Sequence, residues 1–197
     1  MKNTLRTTAL ATVIGGLALV PATASAEVEE YAIDTEGAHA FIQFRIQHLG
    51  YSWLYGRFNE FDGSFSYDTE EPSNSAIEVN IDMASIDSNH AERDRHLRGD
   101  DFFDVEEYPE ASFVSTAYEE HGDGTGTLVG DLTMKGVTRE VEIDVEQIGA
   151  GEDPWGGYRR GFQGETTIAL KDFDIDYDLG PASREAQLEL AIEGIRQ

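Results

Sequence analysis

The sequence predicts an all-β domain built from eight antiparallel strands. Apolar residues alternate with polar ones in eight separate segments, turn-forming residues lie between those segments, and only one segment has the composition of a helix. Connections this short favour antiparallel neighbours. Because each strand has one apolar and one polar face, the sheet must either pack on a second sheet or close on itself as a barrel.

The strands are predicted by a period of two residues. The first spans residues 40–48, where Ile42, Phe44 and Ile46 share one face and polar side chains occupy the other. The same alternation predicts seven further strands, at residues 61–67, 77–81, 111–115, 128–132, 141–145, 162–170 and 188–192. Clusters of Gly, Pro, Asp and Ser separate them and indicate turns.

One segment, residues 89–98, predicts a short helix. It contains good helix formers and neither Gly nor Pro, with Ser88 or Asn89 available as the N-cap and Gly99 just past its end. Two adjacent aromatic residues follow within 101–103. We expect the helix and these aromatics to cover one end of the barrel or sandwich.

The N-terminal segment, residues 1–26, predicts a signal peptide rather than a part of the fold. It has two basic residues near its start, a mainly apolar run over 9–20 and Ala-Ser-Ala at its end. Cleavage after Ala26 would release a mature domain of residues 27–197. The chain has no cysteine, which excludes a lipid-anchored lipoprotein, and no later segment is apolar enough for a membrane-spanning helix. A soluble, exported product is expected.

Composition excludes several functional classes. With 39 acidic and 14 basic residues, the net charge of −25 argues against nucleic acid or an anionic lipid surface as a partner. The absence of cysteine excludes disulfides, a thiolate nucleophile, zinc ribbons and cysteine-ligated iron–sulfur clusters. So acidic a surface is typical of proteins that work in high salt, where repulsion is screened. Our hypothesis is that the source is a salt-loving bacterium.

The five histidines do not form an evident metal or catalytic motif. His90 and His96 are six residues apart on the predicted helix, and His39 and His48 fall on opposite faces of the first strand, while His121 lies in a turn. No Gly-x-Ser-x-Gly elbow is present, so a serine hydrolase is not indicated. We therefore predict neither a metal site nor catalytic residues.

The helix contains the most concentrated basic signal in the chain, with Arg93, Arg95, His96 and Arg98 within six positions. Arg93, His96 and Arg98 could surround a mouth and bind an anionic or hydrogen-bonding headgroup. The alternative is ion pairing with nearby carboxylates. Those carboxylates are Glu92, Asp94, Asp100, Asp101 and Asp104.

Four segments of the sequence, taken together, resemble one family. They are HAFIQFRIQHLGYSWLYGRF at 39–58, the segment 89–103 with NHAERD, HLR and DFF, DPWGG at 153–157, and DLGPAS at 178–183. In this order and spacing they resemble the YceI-like periplasmic proteins of Gram-negative bacteria. The resemblance covers essentially the whole mature chain.

The resemblance implies an extended antiparallel barrel of the lipocalin type that holds a long polyisoprenoid lipid, of the quinone or phosphate class, in an internal tunnel. It implies a periplasmic carrier without enzymatic activity or a cofactor, and it allows a homodimer. The side chains expected to line the tunnel come from the apolar strand faces and the aromatics near the helix. They are Phe44, Ile46, Trp53, Tyr55, Phe65, Leu97, Phe102, Phe103, Phe113, Leu132, Ile143, Phe162, Ile168 and Leu190.

Two other functions are compatible with the same residues. One is an enzyme that acts on an isoprenoid lipid with His48 or His96 as the acid or base. The other is a stress-response or structural module whose interior is filled by its own side chains, since small barrels are often packed solid. In that case the fourteen predicted lining residues would be ordinary core.

Overall fold

The computed structural model describes residues 28–197 as one antiparallel sheet of eleven strands with one α-helix. The predicted signal peptide lies outside the described residues. The strands are β1 (Val28–Ile33), β2 (Phe41–His48), β3 (Ser52–Phe58), β4 (Phe61–Asp68), β5 (Ala76–Asp82), β6 (Ile86–Asp87), β7 (Glu110–Glu120), β8 (Thr125–Met134), β9 (Val137–Glu152), β10 (Tyr158–Ala169) and β11 (Glu185–Arg196). No helix in this part of the chain is long and apolar enough to cross a membrane.

Six of these strands are halves of three longer ones: β1 continues into β2, β3 into β4, and β5 into β6. β1 and β2 both pair with β11, through its residues 194–196 and 186–191 respectively. β4 pairs with β1, and β3 pairs with β2. On the next strand along, β5 pairs with β4, and β6 pairs with β3. Counted in this way the chain forms eight long strands, and each contains one of the eight predicted segments.

The eight long strands follow one another around a closed barrel. Each pairs with the next in the order of the chain, and β11 pairs with β10 on one edge and with β1 and β2 on the other. This closure pairs every long strand on both sides, and among the described residues only the outer edge of the two-residue β6 has no strand partner. The predicted eight-stranded antiparallel barrel with one short helix is confirmed, and the alternative of two packed sheets is wrong.

The tightest turn shows how local sequence sets the register. β8 and β9 are joined by Lys135 and Gly136, whose φ angles are +50° and +73°. Two successive left-handed residues form the type I′ turn that suits a two-residue hairpin. The pairing of Met134 with Val137 follows from this turn.

The single α-helix, α1 (Ala91–Leu97), lies within the predicted span of 89–98 but is shorter. The predicted N-cap is wrong, because Asn89 has a φ of +63° and His90 takes that position. The Nδ1 atom of His90 accepts a hydrogen bond from the Arg93 backbone at 3.3 Å. The helix follows β6 and, with the loop after it, covers one end of the barrel, as predicted.

Candidate ligand cavity

The barrel interior contains two adjoining cavities. The larger, of about 440 Å³, lies at the end covered by α1, and we call it the helix-end cavity. The smaller, of about 150 Å³, lies deeper among β4, β5 and β7–β11, and we call it the inner cavity. Four apolar residues line both: Ile42, Ile81, Leu132 and Leu188. These four residues therefore lie between the two cavities, and we call them the neck.

The cavity walls follow from the two-residue period of the strands. On β9, Val141, Ile143 and Val145 line the inner cavity, whereas the intervening Glu142 and Asp144 are exposed. The other long strands contribute in the same way, with apolar side chains inside and acidic or polar ones outside. The alternation seen in the sequence thus produces an almost wholly apolar interior.

All but two of the fourteen predicted lining residues line a cavity. The inner cavity is lined by Phe65, Phe113, Leu132, Ile143, Phe162 and Leu190. The helix-end cavity is lined by Phe44, Ile46, Leu97, Phe102, Phe103, Leu132 and Ile168. The neck residues Ile42, Ile81 and Leu188 were not among the fourteen predicted ones. Their signal was available, since Ile42 shares a strand face with Phe44.

The prediction that Trp53 and Tyr55 face the interior is wrong. Both lie on the outer face of β3, where they are 41 % and 55 % exposed. The inward positions of this strand belong to Leu54 and Gly56. The Phe44 ring occupies the space above Gly56, where an added Cβ would approach the ring to 2.3 Å. A glycine inside and aromatics outside reverse the usual pattern.

Polar side chains gather at the mouth of the helix-end cavity. Its lining includes Gln47, His48, Arg93, His96 and Ser183 among many apolar residues. The predicted headgroup residues Arg93 and His96 thus lie beside the cavity. Such a mouth offers hydrogen-bond donors to the polar end of a mostly apolar molecule.

Neighbouring groups hold the two basic side chains at this mouth. The Arg93 guanidinium donates to the Ser88 hydroxyl at 2.7 Å and to the Ser88 carbonyl at 2.5 Å. The Nε2 atom of His96 lies 3.0 Å from Asp101 Oδ2. Its ring makes edge-to-face contacts with Phe102 and Tyr177, at centroid distances of 5.0 and 5.2 Å.

The third predicted headgroup residue, Arg98, is placed differently. Its guanidinium donates to the Ala84 and Ile86 carbonyls, each at 2.7 Å, and it is not part of either cavity lining. Arg98 thus anchors α1 to the segment between β5 and β6. Of the ion pairs considered from the sequence, Arg95 pairs with Glu92 and His96 contacts Asp101.

The end of the barrel opposite α1 contains a buried polar group that was not predicted from the sequence. The Arg160 guanidinium donates to Glu29 at 2.8 Å, to Gln147 at 3.1 Å and to the Tyr31 hydroxyl at 3.2 Å. It also lies 3.8 Å from the centre of the Tyr67 ring. The Arg160 and Glu29 side chains are only 7 % and 10 % exposed. We call these five residues the Arg160 cluster.

The pKa shifts within the Arg160 cluster reflect burial and hydrogen bonding. Burial and the hydrogen bond to Glu29 raise the pKa of Tyr31 to about 12. Burial alone would raise the pKa of Glu29, but hydrogen bonds from Tyr31, Arg160 and Arg196 outweigh it and lower that pKa. The cluster therefore holds a carboxylate, a guanidinium and two neutral phenols at neutral pH.

A second ionic group beside this end resembles a metal site in composition only. Asp34, His39 and Glu193 are the one set of potential metal ligands brought together in the part of the chain that the structure describes. Arg159 lies among them and donates to Asp34 at 2.6 Å and to Glu193 at 2.5 Å. Its hydrogen bond lowers the pKa of Asp34 to about 2. The positive charge beside these carboxylates is the Arg159 guanidinium.

The chain is similar to one protein family, to relatives over its whole length and to solved structures of the same fold. The YceI-like domain profile matches residues 31–194. A UPF0312 protein of Pseudomonas aeruginosa is 54 % identical over 197 residues and covers 100 % of both chains. Among solved structures, BcnA of Burkholderia cenocepacia has a TM-score of 0.73 at 22 % identity, covering 82 % of this chain and 98 % of its own. A Saccharophagus degradans domain described as polyisoprenoid-binding has a TM-score of 0.62 at 15 % identity, covering 85 % and 98 %.

Proposed function

We propose, from the premise that this chain belongs to the YceI-like domain family, that it binds the apolar tail of a polyisoprenoid lipid inside its barrel. The protein would act as a periplasmic carrier or scavenger without enzymatic activity. The two adjoining apolar cavities are the observation that carries the proposal. The Saccharophagus degradans relative, described as polyisoprenoid-binding, adds support because it shares the fold.

The chemistry of the cavities suits a prenyl chain. Isoprene units are wholly apolar, and burial of each carbon contributes roughly 0.8 kcal/mol before any cost is subtracted. Ordering the flexible chain reduces this gain, but a preformed cavity keeps that reduction small on the protein side. The polar rim could then bind a headgroup through Arg93 and His96, while Arg98 is engaged with backbone carbonyls.

The proposal is tested by the lipid that accompanies the protein. The chain is produced with its leader, purified after export, extracted with organic solvent and analysed by mass spectrometry. We expect a polyprenyl quinone, alcohol or phosphate in stoichiometric amount. Lipid-free protein should gain thermal stability when a polyprenyl quinone is added, because a ligand that binds only the folded state stabilises it.

A matched pair of variants provides the control. Leu188→Phe fills the neck between the cavities, whereas Val114→Phe makes the same kind of change at an outer position that is 50 % exposed. We expect the first to lose most of the extracted lipid and the second to retain it. Absence of lipid from the extract, together with no stabilisation by added quinone, would contradict the proposal.

One observation favours a second function, an enzyme acting on the bound lipid. His96 lines the cavity and is hydrogen-bonded to Asp101, which is an arrangement that can transfer a proton. Turnover of a bound polyprenyl substrate that is lost in His96→Gln or His48→Gln would support this function. The third interpretation, a module with a filled interior, is disfavoured by the two cavities.

A further inference from the structure

We infer that the turn between β2 and β3 is a docking surface whose partner is the headgroup region of a zwitterionic phospholipid bilayer. We call residues 48–53, which form this turn and its flanks, the hairpin tip. The inference goes beyond the proposed function, because it concerns the outer surface of the protein and is tested without a prenyl ligand. It follows from the exposure of the tip, the charge of its surroundings and its position at the mouth of the helix-end cavity.

The hairpin tip presents apolar and aromatic side chains to solvent. Every residue of the tip is exposed, and the exposed fractions of Leu49, Tyr51 and Trp53 are 56 %, 87 % and 41 %. Tyr55, further along β3, is 55 % exposed. Leu49 also has a φ of +52°, a conformation in which glycine or asparagine is usual. Backbone preference therefore does not explain a leucine here, and more than half of its surface faces water.

The hairpin formed by β2 and β3 interrupts the acidic surface of the protein. Residues 37–59 contain no Asp or Glu, which makes them the longest such stretch among the described residues of a chain with 39 acidic residues. On β9, by contrast, the exposed outward positions include Glu140, Glu142 and Asp144. The strands thus share one alternating pattern, but this hairpin replaces the outward carboxylates with other side chains.

The two arginines of this hairpin are balanced by carboxylates on neighbouring strands. Arg45 Nε lies 3.5 Å from Glu189, and the Arg45 guanidinium lies 4.8 Å from the centre of the Trp53 ring. Arg57 Nη2 lies 3.7 Å from Asp87. The outer face of the hairpin is therefore close to neutral, in a molecule whose net charge is −25.

A zwitterionic bilayer fits this combination of charge and side chains. Trp and Tyr have an apolar body and a polar tip, and they are enriched where a membrane meets water. Headgroups with no net charge do not repel the protein, whereas an anionic bilayer would repel its acidic remainder. A second copy of this chain is disfavoured for the same reason, because two molecules of charge −25 would have to approach each other.

The tip also lies at the mouth of the helix-end cavity. His48 and Leu49 are part of the cavity lining. Pro181 and Ala182, on the loop before β11, are exposed beside the tip, since a Cβ added to Gly50 would lie 3.7 Å from the Ala182 Cβ. The docking surface therefore comprises two adjoining and mainly apolar loops. A docked protein would exchange a lipid with the bilayer without exposing the lipid tail to water.

The test measures sedimentation of the purified, exported protein with sucrose-loaded vesicles of phosphatidylcholine. Leu49→Asn/Tyr51→Ser removes two exposed apolar side chains, and asparagine is compatible with the φ of +52°. We expect this variant to bind at least about tenfold more weakly than the wild type. Ile148→Asn/Trp155→Ser makes a matched change at exposed positions near the opposite end of the barrel and should bind within about twofold of the wild type. Thermal melting checks that each variant folds.

The two tryptophans of the chain report which surface meets the bilayer. Trp53 belongs to the tip, whereas Trp155 lies in the turn between β9 and β10 at the opposite end. Trp155→Phe leaves Trp53 as the only tryptophan, and Trp53→Phe leaves Trp155. We expect vesicles of brominated phosphatidylcholine to quench the fluorescence of Trp53 and not that of Trp155. Quenching of Trp155 alone would overturn the inference.

The charge of the lipid provides an independent check. Replacing part of the phosphatidylcholine with phosphatidylglycerol should weaken binding in dilute buffer, because the acidic protein is repelled. At about 1 M salt, where the screening length is about 3 Å, the two kinds of vesicle should bind almost equally. Stronger binding to the anionic vesicles in dilute buffer would contradict docking through a near-neutral surface.

The remaining outcomes separate this inference from other uses of the tip. If the wild type does not sediment with phosphatidylcholine vesicles, or if the two double variants bind them equally, the tip is not a membrane-docking surface. If Leu49→Asn/Tyr51→Ser instead converts a dimer to a monomer in size-exclusion chromatography, the tip joins two copies of this chain and the inference is equally overturned. None of these results would contradict the proposed function, which is tested by the extracted lipid.

Discussion

The two ends of this barrel are built by the same strands but have opposite chemistry. At the helix end, α1 and nearby loops surround a cavity of about 440 Å³ with a half-exposed rim. At the other end, Arg160 and Arg159 bind carboxylates from β1, the loop after it and β11. Buried ion pairs therefore stabilise one end of the barrel, whereas the other end is hollow.

The difference arises from the inward-facing side chains near the two ends of the strands, which are apolar at the helix end and charged at the other end. Along β10 the inward positions run from Ile168 at the helix end, through Phe162, to Arg160 at the far end. A closed sheet fixes the positions of these side chains equally well along its length. The distinction between a cavity and a plug therefore depends on single residues rather than on the fold.

The largest effect is expected from breaking the charged end. Glu29→Ala leaves the Arg160 guanidinium buried without its carboxylate and should lower the free energy of unfolding by about 3–5 kcal/mol. Chemical denaturation of the lipid-free protein measures the change. The double variant Glu29→Leu/Arg160→Met removes both charges and should recover most of the loss. If both variants are equally unstable, the ion pair is not the cause.

A smaller loss is expected at the hollow end. Phe102 is 5 % exposed and lines the helix-end cavity, so Phe102→Ala extends an existing space. The cost should be about 2–3 kcal/mol, below the usual range for such a truncation, because fewer packing contacts are lost. Denaturant titration measures this cost. A loss greater than that of Glu29→Ala would reverse the proposed contrast between the two ends.

The second ionic group predicts a defined dependence on pH. Because the hydrogen bond from Arg159 lowers the pKa of Asp34 to about 2, ionised Asp34 stabilises the fold at neutral pH. That contribution, about 1–2 kcal/mol, should be present above about pH 4 and disappear as the pH falls toward 2.

Asp34→Asn should therefore lower the free energy of unfolding at pH 7 and flatten its decline below pH 4. Denaturation measured at a series of pH values provides the test. Glu36→Gln, an exposed position in the same loop, is the control and should retain the wild-type profile. An unchanged acid dependence in Asp34→Asn would exclude the assigned role.

The smallest effect concerns the whole surface rather than either end. At about 1 M salt the screening length falls to about 3 Å, which weakens repulsion among exposed carboxylates but leaves buried ion pairs largely intact. With a net charge of −25, the protein should melt about 3 °C or more higher in molar NaCl than in dilute buffer. Scanning calorimetry at both salt concentrations checks this, and an unchanged Tm would contradict the high-salt hypothesis.

The alternation of residues predicted most of the fold, because each long strand is apolar on one face. Three strand halves, β1, β3 and β6, escaped detection; β6 has only two residues, and the other two were missed because of the residues at their inward positions. In β1 the inward positions include Glu29, and in β3 they include Gly56, so neither has a regular apolar face. Their pairing depends on distant partners in β11, β2 and β4, which local sequence does not reveal.

The cavity lining was also predicted from the alternation of apolar and polar residues, which fails where an inward position is not apolar or an outward position is aromatic. Where apolar residues face inward, as in β9 and β10, residues such as Ile143 and Phe162 were identified. Trp53 and Tyr55 were misplaced because aromatic residues on an outer face resemble core residues in sequence. Arg160 was missed because a charged residue is usually expected outside, although it lies two positions before Phe162 and therefore on the same face.

Closure of the ring by the first and last strands has a consequence for the timing of folding. β11 is the last strand in the described part of the chain, so β1 and β2 have no partner on that edge until β11 has been synthesised. Contacts between such distant segments form slowly, because a long loop must close first. The barrel therefore closes late in folding, after the edge formed by β1 and β2 has waited for β11.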